Sequence, residues 1–194
     1  EVVLSILSAA LKEDIGPRDL TTCAVIPKGQ QAKGDLVARQ EGILAGLQVA
    51  EWTFGLVDPK IRFKPNVPDG QMVHPGQTVA FIEGPARGIL AAERVALNFL
   101  GHLSGIATLT RGFVNKVQRS RAQILDTRKT TPGLRLLEKY AVSVGGGAPH
   151  RMGLYDQVLI KDNHIQLVAS RLGSIATHRL SAIELAVQEV RQKS

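Results

Sequence analysis

Residues 126–165, DTRKTTPGLRLLEKYAVSVGGGAPHRMGLYDQVLIKDNHI, decide how the second half of the chain is read. Two short apolar runs bracket their centre, Ile124-Leu125 just upstream and Val158-Leu159-Ile160, each too short for a helix and suited to a buried strand. Between the runs Thr131 caps a helix and Pro132 stands at its first position, where a missing N–H costs nothing. Leu134, Leu137, Ala141 and Val142 give that helix its buried stripe, and Gly145 ends it. Strands are therefore expected over 122–126 and 156–161. A last helix opens on a Ser181/Glu184 capping box and buries Ile183, Ala186, Val187 and Val190. Strand, helix, strand, helix at ~30 residues from strand to strand predicts parallel β/α architecture, of the barrel or the doubly wound kind. Two strands do not close a barrel, so the chain is expected to be roughly the front two thirds of a longer protein.

Polar residues that directly follow a parallel strand lie at its C-terminal end, where such folds bind ligands. Thr127-Arg128-Lys129 follow the first expected strand, and Lys161-Asp162-Asn163-His164 overlap the end of the second. The Gly145-Gly146-Gly147 and Pro149-His150-Arg151 loop lies between them; folded over the same rim, it would bring His150 and Arg151 toward Arg128 and Lys161. Arginine forks grip planar carboxylates at two points, while lysine serves phosphate as a point charge. The expected ligand thus carries carboxylates and phosphates together.

Other polar residues have plainer readings. The triple glycine follows a helix, so it is read as helix termination and a tight turn and not as a phosphate cradle. Arg135 and Lys139 are read as solvated or dipole-compensating side chains. His164 either contacts ligand or only caps or orients a neighbour. His74 and His178 are read as surface residues and His102 as packed in the helical region. The histidines lack i, i+4 pairing and the one cysteine, Cys23, has no partner at ligand spacing, so no structural metal site is expected; Cys23 is expected simply to pack.

Upstream the grammar differs. Val3, Ile6, Leu7, Ala10 and Leu11 share one helical face, and that helix should stop before Gly16-Pro17. Residues 18–22 read as a polar loop. From Ala24 to Phe81 short alternating runs (24–26, 35–39, 61–63, 78–82) surround one helix at 48–56, which predicts an α+β module with an antiparallel or mixed sheet. Residues 88–119 read as two helices broken near Ser104-Gly105, bridging two domains and apolar over much of their surface.

The 194 residues are 44% hydrophobic and 21% charged, enough for a globular core. A net charge of +7 invites a nucleic-acid reading, but bases alternate with acids (Lys12-Glu13-Asp14, Glu93-Arg94, Glu138-Lys139) and aromatics are only 4%, too few to stack bases. The excess charge suits a small anionic ligand at least as well. With no apolar run near the ~20 residues of a membrane span and no secretory leader pattern, a soluble, cytoplasmic protein without nucleic-acid or membrane partners is expected. The single cysteine fits a reducing compartment.

ERVALNFL, LSGIATLTR, the whole of DTRKTTPGLRLLEKYAVSVGGG, HRMGLYDQVLIKDNHI and the early EDIGPRDLTT closely resemble the quinolinate phosphoribosyltransferase family, over essentially the entire chain. The resemblance implies an α/β protein in which an N-terminal α/β sandwich domain with its helical bridge (1–104) precedes the first part of a parallel α/β barrel (105–194). It also implies a homodimer, and a reaction of quinolinate with phosphoribosyl pyrophosphate giving nicotinate mononucleotide, pyrophosphate and CO2 with Mg²⁺. On this resemblance Arg128, His150 and Arg151, with Lys161 beside them, hold the quinolinate carboxylates. Lys129 and Lys161 face phosphoribosyl pyrophosphate as the catalytic lysines, His164 lies near its phosphates, and Arg94 reaches a neighbouring subunit's site. Pro149 departs from the family's more usual Asn. The family's acidic residues near ribose and Mg²⁺ are expected beyond Ser194, so no metal ligand is assigned here and the chain alone is not expected to catalyse efficiently. Alternatives left open are a relative acting on nicotinate or another aromatic acid, and a non-catalytic anion-binding module.

Overall fold

A computed structural model describes residues 1–171 and 179–193. The first helix, α1 (Val2–Ile15), buries Leu7 and Leu11 as its periodicity requires and ends at Gly16, whose positive φ of 58° glycine adopts freely. The expected polar loop that follows is instead a short helix, α2 (Leu20–Val25). Asp19 is its N-cap, accepting the Thr22 N–H at 2.8 Å. Arg87 donates to the carbonyls of Cys23 and Ile26 at its other end. The run 24–26, read as a strand, is the last turn of this helix, and Cys23 is exposed rather than packed.

The module that follows is α+β with antiparallel pairing. Strand β1 (Gln31–Val37) and β3 (Arg62–Pro65) flank the central β5 (Thr78–Pro85), with Gly34 and Phe63 both facing Ile82 in register. β2 (Gly42–Ile43) and β4 (Met72–Val73) form a separate two-stranded pair. From Ala80 the side chains of β5 alternate as a one-sided sheet demands, burying Ala80 and Ile82 while Phe81 and Glu83 face out; Val79 before them is buried as well. Helix α3 (Leu47–Val57) covers this inner face with Phe54, fully buried and stacked on Phe63 at 5.9 Å between ring centroids. Asp69 caps α3 from outside its own segment, accepting the N–H groups of Gly46 and Leu47, and takes a further bond from the Tyr140 hydroxyl at 2.5 Å.

The expected break at Ser104-Gly105 does not occur. Helix α4 (Ala86–Val117) runs unbroken for 32 residues, roughly 48 Å. Its first half gives Ala92, Ala96 and Leu100 to the core around Phe54; its second half gives Leu103 and Ala107 to a second core with Leu7, Ile43 and Leu137. A helical glycine costs about 1 kcal/mol against alanine, and burial on both sides of it offsets that cost. Ser104, read as part of the break, docks the β2 segment: its hydroxyl accepts the Ala45 N–H at 2.9 Å, and Thr108 one turn on accepts the Ile43 N–H at 2.8 Å.

Beyond α4 the described residues hold three more helices, α5 (Arg135–Val144), α6 (Asp162–Arg171) and α7 (Arg179–Lys193). α7 already contains Ser181, so that residue is not its cap. The two expected parallel strands are not formed as ladders. Leu125 makes one parallel bridge, to Ala148, and Val158 is 62% exposed. The physical reason is that a parallel strand is held by neighbours on both edges and layers on both faces, and no strand pairs with 156–161 among the described residues. The chain divides into two units, Glu1–His150 and Arg151–Ser194, which are described separately.

Candidate functional site

In the first unit Arg128 and Lys129 stand on the segment between the Leu125 bridge and α5, and His150 follows α5. Lys129 is exposed, its N–H held by the Thr127 hydroxyl at 3.0 Å. Arg128 is half-buried, and its Nε meets no hydrogen-bond partner among the described residues. A guanidinium N–H left without a partner is a donor that suits an anion. Helix α5 begins three residues later than expected because Gly133 adopts φ 83°, which no helix accommodates; residues 131–134 form a turn closed by the Leu134 N–H on the Thr131 carbonyl at 3.0 Å.

Two adjacent residues of α5 hold this segment. Glu138 accepts the Thr131 N–H at 3.1 Å and lies 3.0 Å from His102 Nε2. Burial pushes its carboxyl up, but the bonds from Thr131 and His102 outweigh that and hold it below the usual carboxylate range. A lowered folded value means stability that is fully present above the unfolded value, ~4.3, and lost as the pH falls through the folded one. Thermal unfolding of Glu138→Gln is therefore expected to lose part of the wild type's decline below about pH 4; an unchanged acid limb would show that the pair does not contribute.

Lys139, read from the sequence as a solvated side chain, is 4% exposed. Its ammonium is paired with Asp126 Oδ1 and donates to the His150 carbonyl at 3.0 Å. A signal for a polar function on this face was visible: Glu138 lies four residues after Leu134 and three before Ala141, inside the buried stripe. The glycine run acts as its position predicted. Gly145 ends α5, and its carbonyl accepts from Arg111 Nε at 2.9 Å. A Cβ on Gly145 would fall 2.5 Å from the Ala107 carbonyl oxygen, and one on Gly147 2.6 Å from Val142.

In the second unit Arg151, Lys161 and His164 line one cleft of about 410 Å³ with Gln157 and Asn163. Arg151 is 5% exposed and donates to the Gln157 carbonyl at 3.3 Å. Asp156 accepts from the Met152 and Gly153 N–H groups; these bonds, with the Arg151 charge, hold its carboxyl below the usual range. Lys161 is exposed. Of the two readings of His164, the structure contains the cap: its Nδ1 accepts the Lys161 N–H at 2.8 Å at the start of α6. Arg94 is exposed on α4, and His74 is exposed beside Glu41 at 3.2 Å. His178 lies outside the described residues.

A sheet-bearing N-terminal part followed by a largely helical C-terminal part defines an α/β protein of one known architecture. It matches the solved NadC of Streptococcus pyogenes with a TM-score of 0.85 at 44% identity, covering 96% of this chain and 63% of that one. The nicotinate-nucleotide pyrophosphorylase of Ehrlichia chaffeensis matches with a TM-score of 0.84 at 38% identity, over 97% of this chain and 64% of that one. The models for the N-terminal and C-terminal domains of quinolinate phosphoribosyl transferase match residues 19–104 and 106–193 respectively, and the chain belongs to that family. It is 45% identical to a probable carboxylating nicotinate-nucleotide pyrophosphorylase of Bacillus subtilis, over 92% of this chain and 61% of the relative. It is 46% identical to a decarboxylating quinolinate phosphoribosyltransferase of Nicotiana glauca, over 82% of this chain and 45% of the relative. The chain thus spans between about half and two thirds of the length of these relatives.

Proposed function

We propose that the protein transfers a phosphoribosyl group from phosphoribosyl pyrophosphate to quinolinate with loss of CO2, giving nicotinate mononucleotide and pyrophosphate in NAD biosynthesis. What carries this reading is membership of the family across both of its domain models. Arg128, His150 and Arg151, with Lys161, take the two carboxylates, and Lys129 and Lys161 take the phosphate-rich co-substrate, with His164 close to its phosphates. Joining a dianion to a polyanion requires dense positive charge, which Arg128, Lys129, His150, Arg151, Lys161 and His164 supply. As pyrophosphate leaves, the ribose carbon gains oxocarbenium character and the pyridine nitrogen attacks it; loss of the adjacent carboxylate as CO2 then leaves its electron pair on the ring carbon beside the quaternary nitrogen, which stabilises that pair until the carbon takes up a proton from water. Positioning, not nucleophilic activation, is the protein's task in this sequence of steps.

Residues 1–104 serve as the sandwich domain and its bridge, and 105–194 as the start of the barrel domain. The working form is a cytoplasmic homodimer in which Arg94 enters the neighbour's site. Supporting this, Arg94 stands on a helix that also exposes Leu90, Leu109 and Phe113. Among the described residues no helix is long and apolar enough to cross a membrane. Mg²⁺ enters with phosphoribosyl pyrophosphate as part of that substrate; no group of three His, Cys, Asp or Glu side chains among the described residues is placed to hold it, and the roles above do not depend on it. The test uses the full-length protein with quinolinate labelled in its 2-carboxylate. Labelled CO2 released only with phosphoribosyl pyrophosphate present is expected; consumption of nicotinate with no CO2 from quinolinate overturns the reading.

A further inference from the structure

We infer that Asp126 and Lys139 are positioning residues for His150: they clamp its main chain and so set where its ring begins. The inference rests on the function proposed above for its ligand, but its geometry stands alone.

A single bridge joins the 124–126 segment to 148: the Ala148 N–H donates to the Ile124 carbonyl at 2.8 Å, and the Asp126 N–H donates to the Ala148 carbonyl at 3.2 Å. A parallel ladder would continue with the His150 N–H on the Asp126 backbone carbonyl. Here that N–H turns to the Asp126 side chain, bonding Oδ1 at 2.8 Å. Lys139 pairs with the same oxygen and takes the His150 carbonyl at 3.0 Å. Both polar groups of one peptide position are therefore held by one ion pair whose side chains are each 4% exposed. Pro149 is compatible with this arrangement, because the residues that bond to 124–126 are its neighbours Ala148 and His150 and the missing N–H is not needed.

A buried ion pair is poor evidence for stability, since desolvation consumes most of its attraction; what it secures is a unique geometry. Asp126 also stands two residues before Arg128, and Lys139 one residue after Glu138, which holds Thr131. The same short stretch of α5 thus ties down the segment carrying Arg128 and Lys129 and the residue bearing the imidazole. Neither Asp126 nor Lys139 needs to touch ligand for its loss to be felt.

The test compares the chain with Lys139→Met and with the charge-neutral double variant Asp126→Asn/Lys139→Met, by amide resonances and by titration calorimetry with quinolinate and with phosphoribosyl pyrophosphate. Expected are displaced resonances of His150 and Arg128 with those of Leu7 and Phe54 unmoved. Quinolinate affinity should fall by about tenfold or more, and phosphoribosyl pyrophosphate affinity by much less. If Lys139→Met fails to fold because Asp126 is left uncompensated, the double variant decides. Unmoved His150 resonances with unchanged quinolinate affinity overturn the inference, as does loss of folding in both variants, which would make the pair a support of the whole core. If the unsubstituted chain binds neither ligand, the proposed function fails instead, and the His150 resonances alone judge the clamp.

Discussion

Gly145→Ala is expected to destabilise the protein by about 1–3 kcal/mol, while the chemically identical change at Gly105 is expected to stabilise it by about 0.5–1 kcal/mol. At Gly145 the new methyl would lie 2.5 Å from the Ala107 carbonyl oxygen and 2.7 Å from Thr110 Cβ, both belonging to the wall of α4, so α5 must move away. That movement would loosen the Arg111 bond to the Gly145 carbonyl and carry Glu138 and Lys139 with it. At Gly105 nothing lies within 4 Å of the place a Cβ would occupy and the backbone is helical throughout, so alanine gains helix propensity and meets no obstacle. Urea midpoints of the two variants check both signs at once. Equal and small shifts would mean that α5 does not pack on α4 as closely as described.

Arg128→Ala is expected to weaken quinolinate binding by about 2–5 kcal/mol, on the order of thirtyfold or more, because truncating one side of a charged, partly desolvated pair leaves the ligand carboxylate without its partner. Arg128→Lys should recover little, since an ammonium does not reproduce the two parallel N–H bonds of the fork. Lys129→Ala should show the opposite selectivity, losing phosphoribosyl pyrophosphate more than quinolinate. Calorimetry with each ligand on the full-length protein separates the two; equal losses of both ligands in both variants would show that the carboxylate and phosphate roles are not divided in this way.

Much of the fold is legible in the residues. The faces of α1, α3 and α5, the antiparallel sheet around β5 and the end of α5 at Gly145 follow from hydrophobic period and turn chemistry, which act over a few residues. The motifs from 126 to 165 also carry the family. What the residues alone misplace depends on partners distant in sequence. Glycine at 105 suggests a break, but the helix runs unbroken with a core on each half of α4. Arg18 to Thr22 looks like a loop because a six-residue helix has almost no period to display; a single cap bond from Asp19 and the reach of Arg87 from 61 residues away complete it.

For the candidate site, the residue types and their order belong to the sequence by itself: cationic side chains concentrated after two short apolar runs are what the expectation of an anionic ligand is read from. Their support does not. Whether a lysine on an amphipathic helix is solvated or buried turns on what stands opposite it, and for Lys139 that is a carboxylate 13 residues earlier and a carbonyl 11 residues later. Helical periodicity reports which side of a helix faces inward; only the tertiary structure decides which charges are waiting there, since burial of an ion is permitted or forbidden by its neighbours and not by its own position in the chain.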